Sequence, residues 1–447
     1  MNMRWWKTYS VLSQMKKRLI WSQKEISEYR NHKLRNLIAI AYDKSPFYHT
    51  FYNTHGIHPD TIKTIHDLKR LPVLRKNHLL EADPMQVVTI GDTSNALESD
   101  WMEEVTSGST GHPLRVFRTW RDLYYIKAKI IRAYVQTGYR LSHRQVVLKS
   151  STASLTGTHW FEKFGILRKY WLSITDAPET NLKKMQDIQP QHLHGYPSGL
   201  VALAEFLQAH NQTFHIPVIC AGAEVLDQAS RQLIEKAFDA EVFDLYGTRE
   251  VGNIAWECKA HAGLHINDDV MIVELLDENG EEVSVGEEGE VVVTYLDAVE
   301  YPFIRYALED RAVRLPQETC SCGVTFSKLD VITGRSDSRI LLPSGTWVSG
   351  MVFQELRTIP WLSSFRIIQD NRESVRLYVV PKYSVEQDRL HALAAQASAL
   401  MNDELTVIPE VVDRLEREKS GKLRTVICQL ESAHESMHSE PVQIGDA

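Results

Sequence analysis

No apolar run in this 447-residue chain approaches the roughly 20 residues that cross a bilayer as a helix. A membrane-spanning segment is therefore not expected. The opening stretch, MNMRWWKTYSVLSQMKKRLIWS, lacks the continuous apolar core of a secretory signal. The cytoplasm is the expected compartment. Trp and Lys/Arg in that stretch suit a membrane surface, but a terminal amphipathic helix packed on the body is the favoured reading. Five Cys in a chain of this length do not make a disulfide framework. A net charge of -8 argues against generic nucleic-acid binding, which needs a basic face. It leaves room for a local basic pocket around a small anion. The nucleotide-binding pattern GxxxxGK[ST] is missing. No internal repeat or low-complexity block is present.

What remains is a globular pattern long enough for two or three domains. Residues 24–85 read as helical segments joined by turns such as KSPFY and RLPVL. From 120 to 240, strand-like runs (RQVVLKS, IPVICAG) alternate with helical ones, which predicts a mostly parallel α/β sheet. In PSGLVALAEFLQAHN, Ser198 is placed as the N-cap, and Leu200, Leu203 and Leu207 share a face. In the next helical run, Leu233/Ala237 and Ile234/Phe238 pair at i,i+4. From about 264 the period shortens to β runs separated by Asn-Gly and Gly-rich turns, an antiparallel meander. Beyond GRSDSRI, the strand pair SFRIIQD/SVRLYVV, an amphipathic helix over 385–402 and a further strand, LTVIPEVV, form a small α+β domain. The expected organisation is a large N-terminal α/β domain, 1–336, a small α+β domain, 337–430, and a polar tail, 431–447.

Five stretches carry candidate chemistry. TSGSTGHP at 106–113 offers backbone N–H groups and hydroxyls that can wrap phosphate oxygens. By composition alone a plain flexible turn is the favoured reading. DLYGTREVGNIAWEC sets Tyr246 beside Gly247, with Glu250 three residues on. An aromatic ring there can stack on a base and a carboxylate can hold Mg²⁺; a buried Tyr at a strand end is the plain alternative. FIRYALED and GRSDSRI each pair an Arg with an Asp at the end of a β run; a lone Asp of this kind is usually a cap, and a carboxylate such as that of Asp310 can instead accept from both ribose hydroxyls. EREKSGKLRTV places Lys422 in a Gly-containing turn.

Individually weak, these stretches follow an order that resembles the adenylate-forming superfamily. More closely, the chain resembles the phenylacetate–CoA ligase family and its CapK-like branch, over roughly residues 30–428. KSPFYHTFY, LPVLRKNHLLE, HGYPSGL, CAGAEVL and CSCG before LDVITGRSDSRI add to it. The resemblance implies an ATP-dependent ligase. A carboxylate attacks the α-phosphate of ATP to give an acyl-adenylate and pyrophosphate, and an acceptor then displaces AMP. It implies that Thr106, Ser107, Gly108, Ser109, Thr110 and Gly111 grip the phosphates. Gly222, Ala223, Glu224, Tyr246, Gly247 and Thr248 fall on the nucleotide segments. Glu250 matches the Mg²⁺ carboxylate, and Asp310 the ribose ligand with Arg305 and Tyr306 beside it. Arg335 and Asp337 fall on the next nucleotide motif, with Asp337 as the hinge of a mobile small domain. Lys422 matches the Lys that bridges carboxylate and α-phosphate. Lys422, Glu250 and Arg305 are thus the catalytic set. Two positions depart from the pattern: His112 stands where phenylacetate–CoA ligases frequently have Lys, and Arg249 where the wider superfamily usually has Thr before the Glu.

Cys258, His261, His265, Cys320 and Cys322 are the metal candidates. Three thiols and one imidazole make a closed tetrahedral zinc site with a structural role. His261 has the finger-like spacing, and His265 is the other choice of imidazole. Three ordinary buried Cys are the alternative. His159, Trp160, Tyr196, Pro197 and Ser198 are assigned to the acyl pocket and favour an aryl or other small carboxylic acid. The expected acceptor is CoA, with an amine or a carrier protein as alternatives, and a homodimer is compatible. A zinc-stabilised scaffold without catalysis is the contrasting reading. The joint presence of Glu250, Asp310 and Lys422 argues against it.

Overall fold

A computed structural model of the chain describes residues 3–89, 101–105, 114–149, 160–335, 339–417 and 423–430. The chain divides into two compact units, Met1–Leu226 with Arg231–Ile332, and Asp227–Ser230 with Thr333–Ala447.

An 11-stranded sheet organises the larger unit. Its parallel part comprises β3 (Gln145–Lys149), β4 (Lys169–Ser173), β5 (His192–Gly195), β6 (Val218–Gly222) and β7 (Glu241–Thr248). The sheet continues through β8 (Gly252–Glu257), β9 (Leu264–Ile266), β10 (Met271–Leu276), β11 (Glu288–Tyr295), β12 (Tyr306–Arg314) and β13 (Lys328–Arg335). The order across it is β10-β11-β12-β13-β9-β8-β7-β6-β5-β3-β4. Direction reverses between β7 and β8, which pair antiparallel. The reason is local: only three residues, Arg249–Val251, join them, whereas a parallel return needs a crossover helix. A two-stranded hairpin, β1 (Trp101–Val105) with β2 (Arg115–Thr119), flanks residues 106–114.

The amphipathic readings hold where burial drives them. Leu200, Leu203 and Leu207 are buried, as are Ile234, Ala237 and Phe238. Ser198 is a correction. The helix is Pro197–Ala209 and its N-cap is Tyr196. Pro occupies the first turn, where its missing N–H costs nothing, so Ser198 falls one place inside the helix. The first helix, Met3–Arg18, packs on the body with Leu12 and Met15 buried. Arg18 Nε donates to Asp269 at 2.8 Å, and Arg132 Nη1 donates to the Met15 carbonyl at 3.1 Å. Among the described residues, no helix is long and apolar enough to cross a membrane.

The smaller unit pairs β14 (Arg339–Leu341) with β15 (Trp347–Ser349). Its four-stranded sheet runs β18 (Thr406–Val411), β17 (Ser374–Pro381), β16 (Leu362–Gln369), β19 (Val426–Cys428). Pro409 lies on the edge strand β18, where a missing ladder donor is tolerated. The helix Gln387–Ala399 contributes Leu390, Leu393 and Ala397 to this unit's core.

Candidate functional site

In an open α/β sheet, ligands gather beyond the C-terminal ends of parallel strands. Here β5 ends at Gly195, before Tyr196–Ser198, and β6 ends at Gly222, before Ala223 and Glu224. The Ser198 backbone N–H and Oγ donate to the two Glu224 carboxylate oxygens at 2.9 and 3.0 Å. The predicted acyl segment is thereby joined to the predicted adenine segment. Ala223 turns the chain with φ 69°. A Cβ on Gly222 would lie 2.7 Å from the Leu245 carbonyl, and one on Gly247 2.6 Å from the Gly252 carbonyl. Both glycines are therefore also dictated by crowding of the strands.

Tyr246 is buried near the end of β7, and its hydroxyl donates to Asp310 Oδ2 at 2.8 Å. Two residues 64 apart in sequence, assigned to adenine and ribose, meet. Thr248 closes β7, and its Oγ1 accepts from the Val251 N–H at 3.4 Å, shaping the turn that carries Glu250.

That turn is gripped from the interior. Arg118, on β2, is 2% exposed. Its Nη2 donates to the Arg249 and Glu250 carbonyls at 2.5 and 2.8 Å, and its Nε to Glu104 on β1 at 2.7 Å. Lys129, fully buried on the helix Trp120–Gln136, donates to the Val251 carbonyl, with its Nζ 3.8 Å from the centre of the Tyr295 ring. Burial, with Arg118 nearby, pulls the Lys129 pKa well below the ordinary lysine range. Arg249 in turn donates from Nη1 to the Val105 carbonyl at 2.6 Å. Sequence reasoning passed over Arg118 and Lys129. Lys129 and Arg132, three apart among apolar helix residues, were the available signal.

Arg305 sits elsewhere. It has φ 51° and is buried, with Nε on Glu274 at 3.1 Å and Nη1 on the Leu71 and Lys69 carbonyls at 2.5 and 3.3 Å. These contacts brace the segment before β12, and they give no support to a catalytic role. Thr106–Gly111, His112, His159, Asp337 and Lys422 lie outside the described residues. Arg335 ends β13, and its side chain, like that of Trp160, lies outside them too.

At the far end of β8, Cys258, His265, Cys320 and Cys322 bring one donor atom each within 4.8 Å of all the others. The Cys258 and Cys320 sulfurs are 3.7 Å apart, and Cys322 Sγ is 3.3 Å from His265 Nε2. A tetrahedron with metal–sulfur bonds of about 2.3 Å has edges of about 3.7 Å, so the donor set fits a closed four-coordinate site. Burial lowers the His265 pKa to about 4, which keeps its ring neutral as a ligand must be. His265 Nδ1 lies 3.4 Å from the Phe326 carbonyl, leaving Nε2 toward the thiols. His261 is a correction: it lies outside this cluster. Its φ is 46°, and its ring nitrogens contact Glu257 at 2.8 Å and Glu241 at 3.2 Å. The β8–β9 hairpin sets His265 opposite Trp256, which overrides spacing along the chain.

Comparison with known proteins gives the family context of this fold. Residues 104–295 match the model of the AMP-binding enzyme family, and residues 341–429 match that of the CapK C-terminal domain. The phenylacetate-coenzyme A ligase of Thermus thermophilus is 24% identical over 437 residues, covering 89% of this chain and 95% of its own. That of Aromatoleum evansii is 26% identical over 337 residues, covering 72% and 73%. Among solved structures, a 2-hydroxyisobutyryl-CoA ligase with a bound acyl-adenylate superposes with a TM-score of 0.75 at 19% identity, over 94% of this chain and 93% of that one. Fold and sequence together define an adenylate-forming enzyme, an AMP-forming ligase. Within that superfamily, the two matched domains and the curated relatives support the phenylacetate–CoA ligase and CapK-like family.

Proposed function

We propose that this ligase activates a small carboxylic acid and transfers the acyl group to CoA. The observation that carries the reading is the Tyr246–Asp310 hydrogen bond, which joins two expected nucleoside contacts from distant strands in one place. In the first half-reaction a carboxylate oxygen attacks the α-phosphorus of ATP. The bond from that phosphorus to the bridging oxygen breaks, and pyrophosphate leaves. In the second, a thiolate sulfur attacks the acyl carbon and AMP leaves with the electron pair. Asp310 would bind the ribose, and Glu250 would hold Mg²⁺, which offsets phosphate charge when bound. Thr106–Gly111 as the phosphate grip, Asp337 as hinge and Lys422 as the bridging cation rest on the resemblance. A small acid is the class that spans the acids named for the relatives. ATP and CoA as co-substrates favour a cytoplasmic site of action.

We further propose that Cys258, His265, Cys320 and Cys322 hold a structural zinc ion. Three thiolates and an imidazole are soft and borderline donors that suit zinc, and four protein ligands leave no position for a reactive water.

The test is exchange of labelled pyrophosphate into ATP across a panel of carboxylic acids, followed by AMP release with and without CoA. Acid-dependent exchange with CoA-stimulated AMP release supports the reading. Exchange without CoA stimulation moves the acceptor to an amine or a carrier protein.

A further inference from the structure

The interior spends buried positive charge on main-chain oxygens of one short turn. Burying a cation is costly unless it is well bonded, and such groups normally meet carboxylates. Yet Lys129 donates to the Val251 carbonyl, and Arg118 to those of Arg249 and Glu250. Three consecutive carbonyls are thus held by basic side chains from two different elements. The same Arg118 ties the turn to β1 through Glu104, and Arg249 answers from the turn by donating to Val105, the last residue of β1. The two arginines form reciprocal links: each donates from its own segment to main-chain oxygen on the other.

We propose that Arg118 and Arg249, backed by Lys129, form a clasp that fixes the turn carrying Glu250 against β1, and so positions the carboxylate that would hold the cation of ATP. This rests on the reading of Glu250 as the Mg²⁺ carboxylate. Arg118 is a positioning residue that acts through the turn. Arg249, where the wider superfamily usually has Thr, supplies the second link.

The experiment uses the full-length enzyme and pyrophosphate exchange with an acid active in the wild type. Arg118→Ala is expected to raise the Mg²⁺ concentration for half-maximal exchange and the KM for MgATP, each about fivefold or more, and to lower kcat about tenfold. The KM for the acid should stay within about twofold. Arg118→Lys, which restores one donor without the planar fork, should recover part of the loss. Arg249→Ala should shift the same two constants less. The double variant should cost less than the product of the single effects, because both links secure one junction. Wild-type constants in Arg118→Ala, or effects that simply multiply, would overturn the clasp. If Arg118→Ala does not fold, Arg249→Ala at the exposed end of the turn decides: unchanged Mg²⁺ and MgATP dependence overturns the proposal. Exchange absent from the wild type with every acid overturns the functional reading itself, and the clasp with it.

Discussion

The two ends of β8 are secured by opposite means. Before Gly252, the turn is held by Arg118 and Lys129 through main-chain oxygens, so no side chain of Glu250 is needed for the fold. After Glu257, the fastening is made of side chains themselves, Cys258 with His265, Cys320 and Cys322. A turn proposed to present a carboxylate to Mg²⁺ must be rigid without consuming that carboxylate. A turn with no chemistry to perform can give its side chains to a metal. The first end should therefore fail in activity while folding is kept, and the second should fail in stability.

The largest expected effect lies at the thiol end. Chelation, or Cys258→Ser, should remove the metal and lower the unfolding midpoint by about 5–10 °C, since a ligand that binds only the folded state stabilises it by mass action. His261→Ala should leave the metal content unchanged. Calorimetry alongside metal analysis checks both, and a metal-free wild type with an unaltered midpoint would break the comparison.

A smaller effect is expected at the nucleoside contact. Asp310→Asn should raise the KM for ATP about tenfold and Tyr246→Phe by less, because a hydrogen bond to a charged group is worth about 1.5–3 kcal/mol. Steady-state kinetics at varied ATP measures this. Equal losses would mean that the tyrosine binds nucleotide mainly through its hydroxyl.

The smallest concerns Asp122, which accepts from the Thr119 N–H at the start of the helix carrying Lys129. Burial and the nearby Glu300 raise its pKa to about 7. A carboxyl raised above its unfolded value stabilises the fold fully below about pH 4 and loses that contribution as pH rises through about 7. The free energy of unfolding should fall between pH 5.5 and 8 by an amount of the order of 1 kcal/mol, with a matching fall in the unfolding midpoint, and Asp122→Asn should flatten the fall.

Much of the frame could be read from residue patterns, because burial imposes periodicity. The change from alternating strands and helices to short β runs, read at about 264, does point to an antiparallel part, but the sheet already reverses between β7 and β8, where a three-residue turn leaves no room for a crossover; Leu200, Leu203 and Leu207 do line a core. Misreadings arose where local geometry overrode spacing. Pro197 moved the cap from Ser198 to Tyr196, and a hairpin brought His265 rather than His261 to the thiols. Arg305 and Asp310 read as one motif, yet Arg305 braces the segment before β12 while Asp310 meets Tyr246. The grip of Arg118 and Lys129 on the turn spans more than 120 residues and ends on backbone oxygens, so the helix pattern could flag Lys129 as buried but could not name its partner.

The most direct test is acid-dependent exchange of labelled pyrophosphate into ATP by the wild type beside Lys422→Ala. The account predicts exchange with at least one small carboxylic acid, and a loss of about a hundredfold or more in the variant at an unchanged unfolding midpoint. Exchange with no acid, or undiminished exchange in Lys422→Ala, would contradict it.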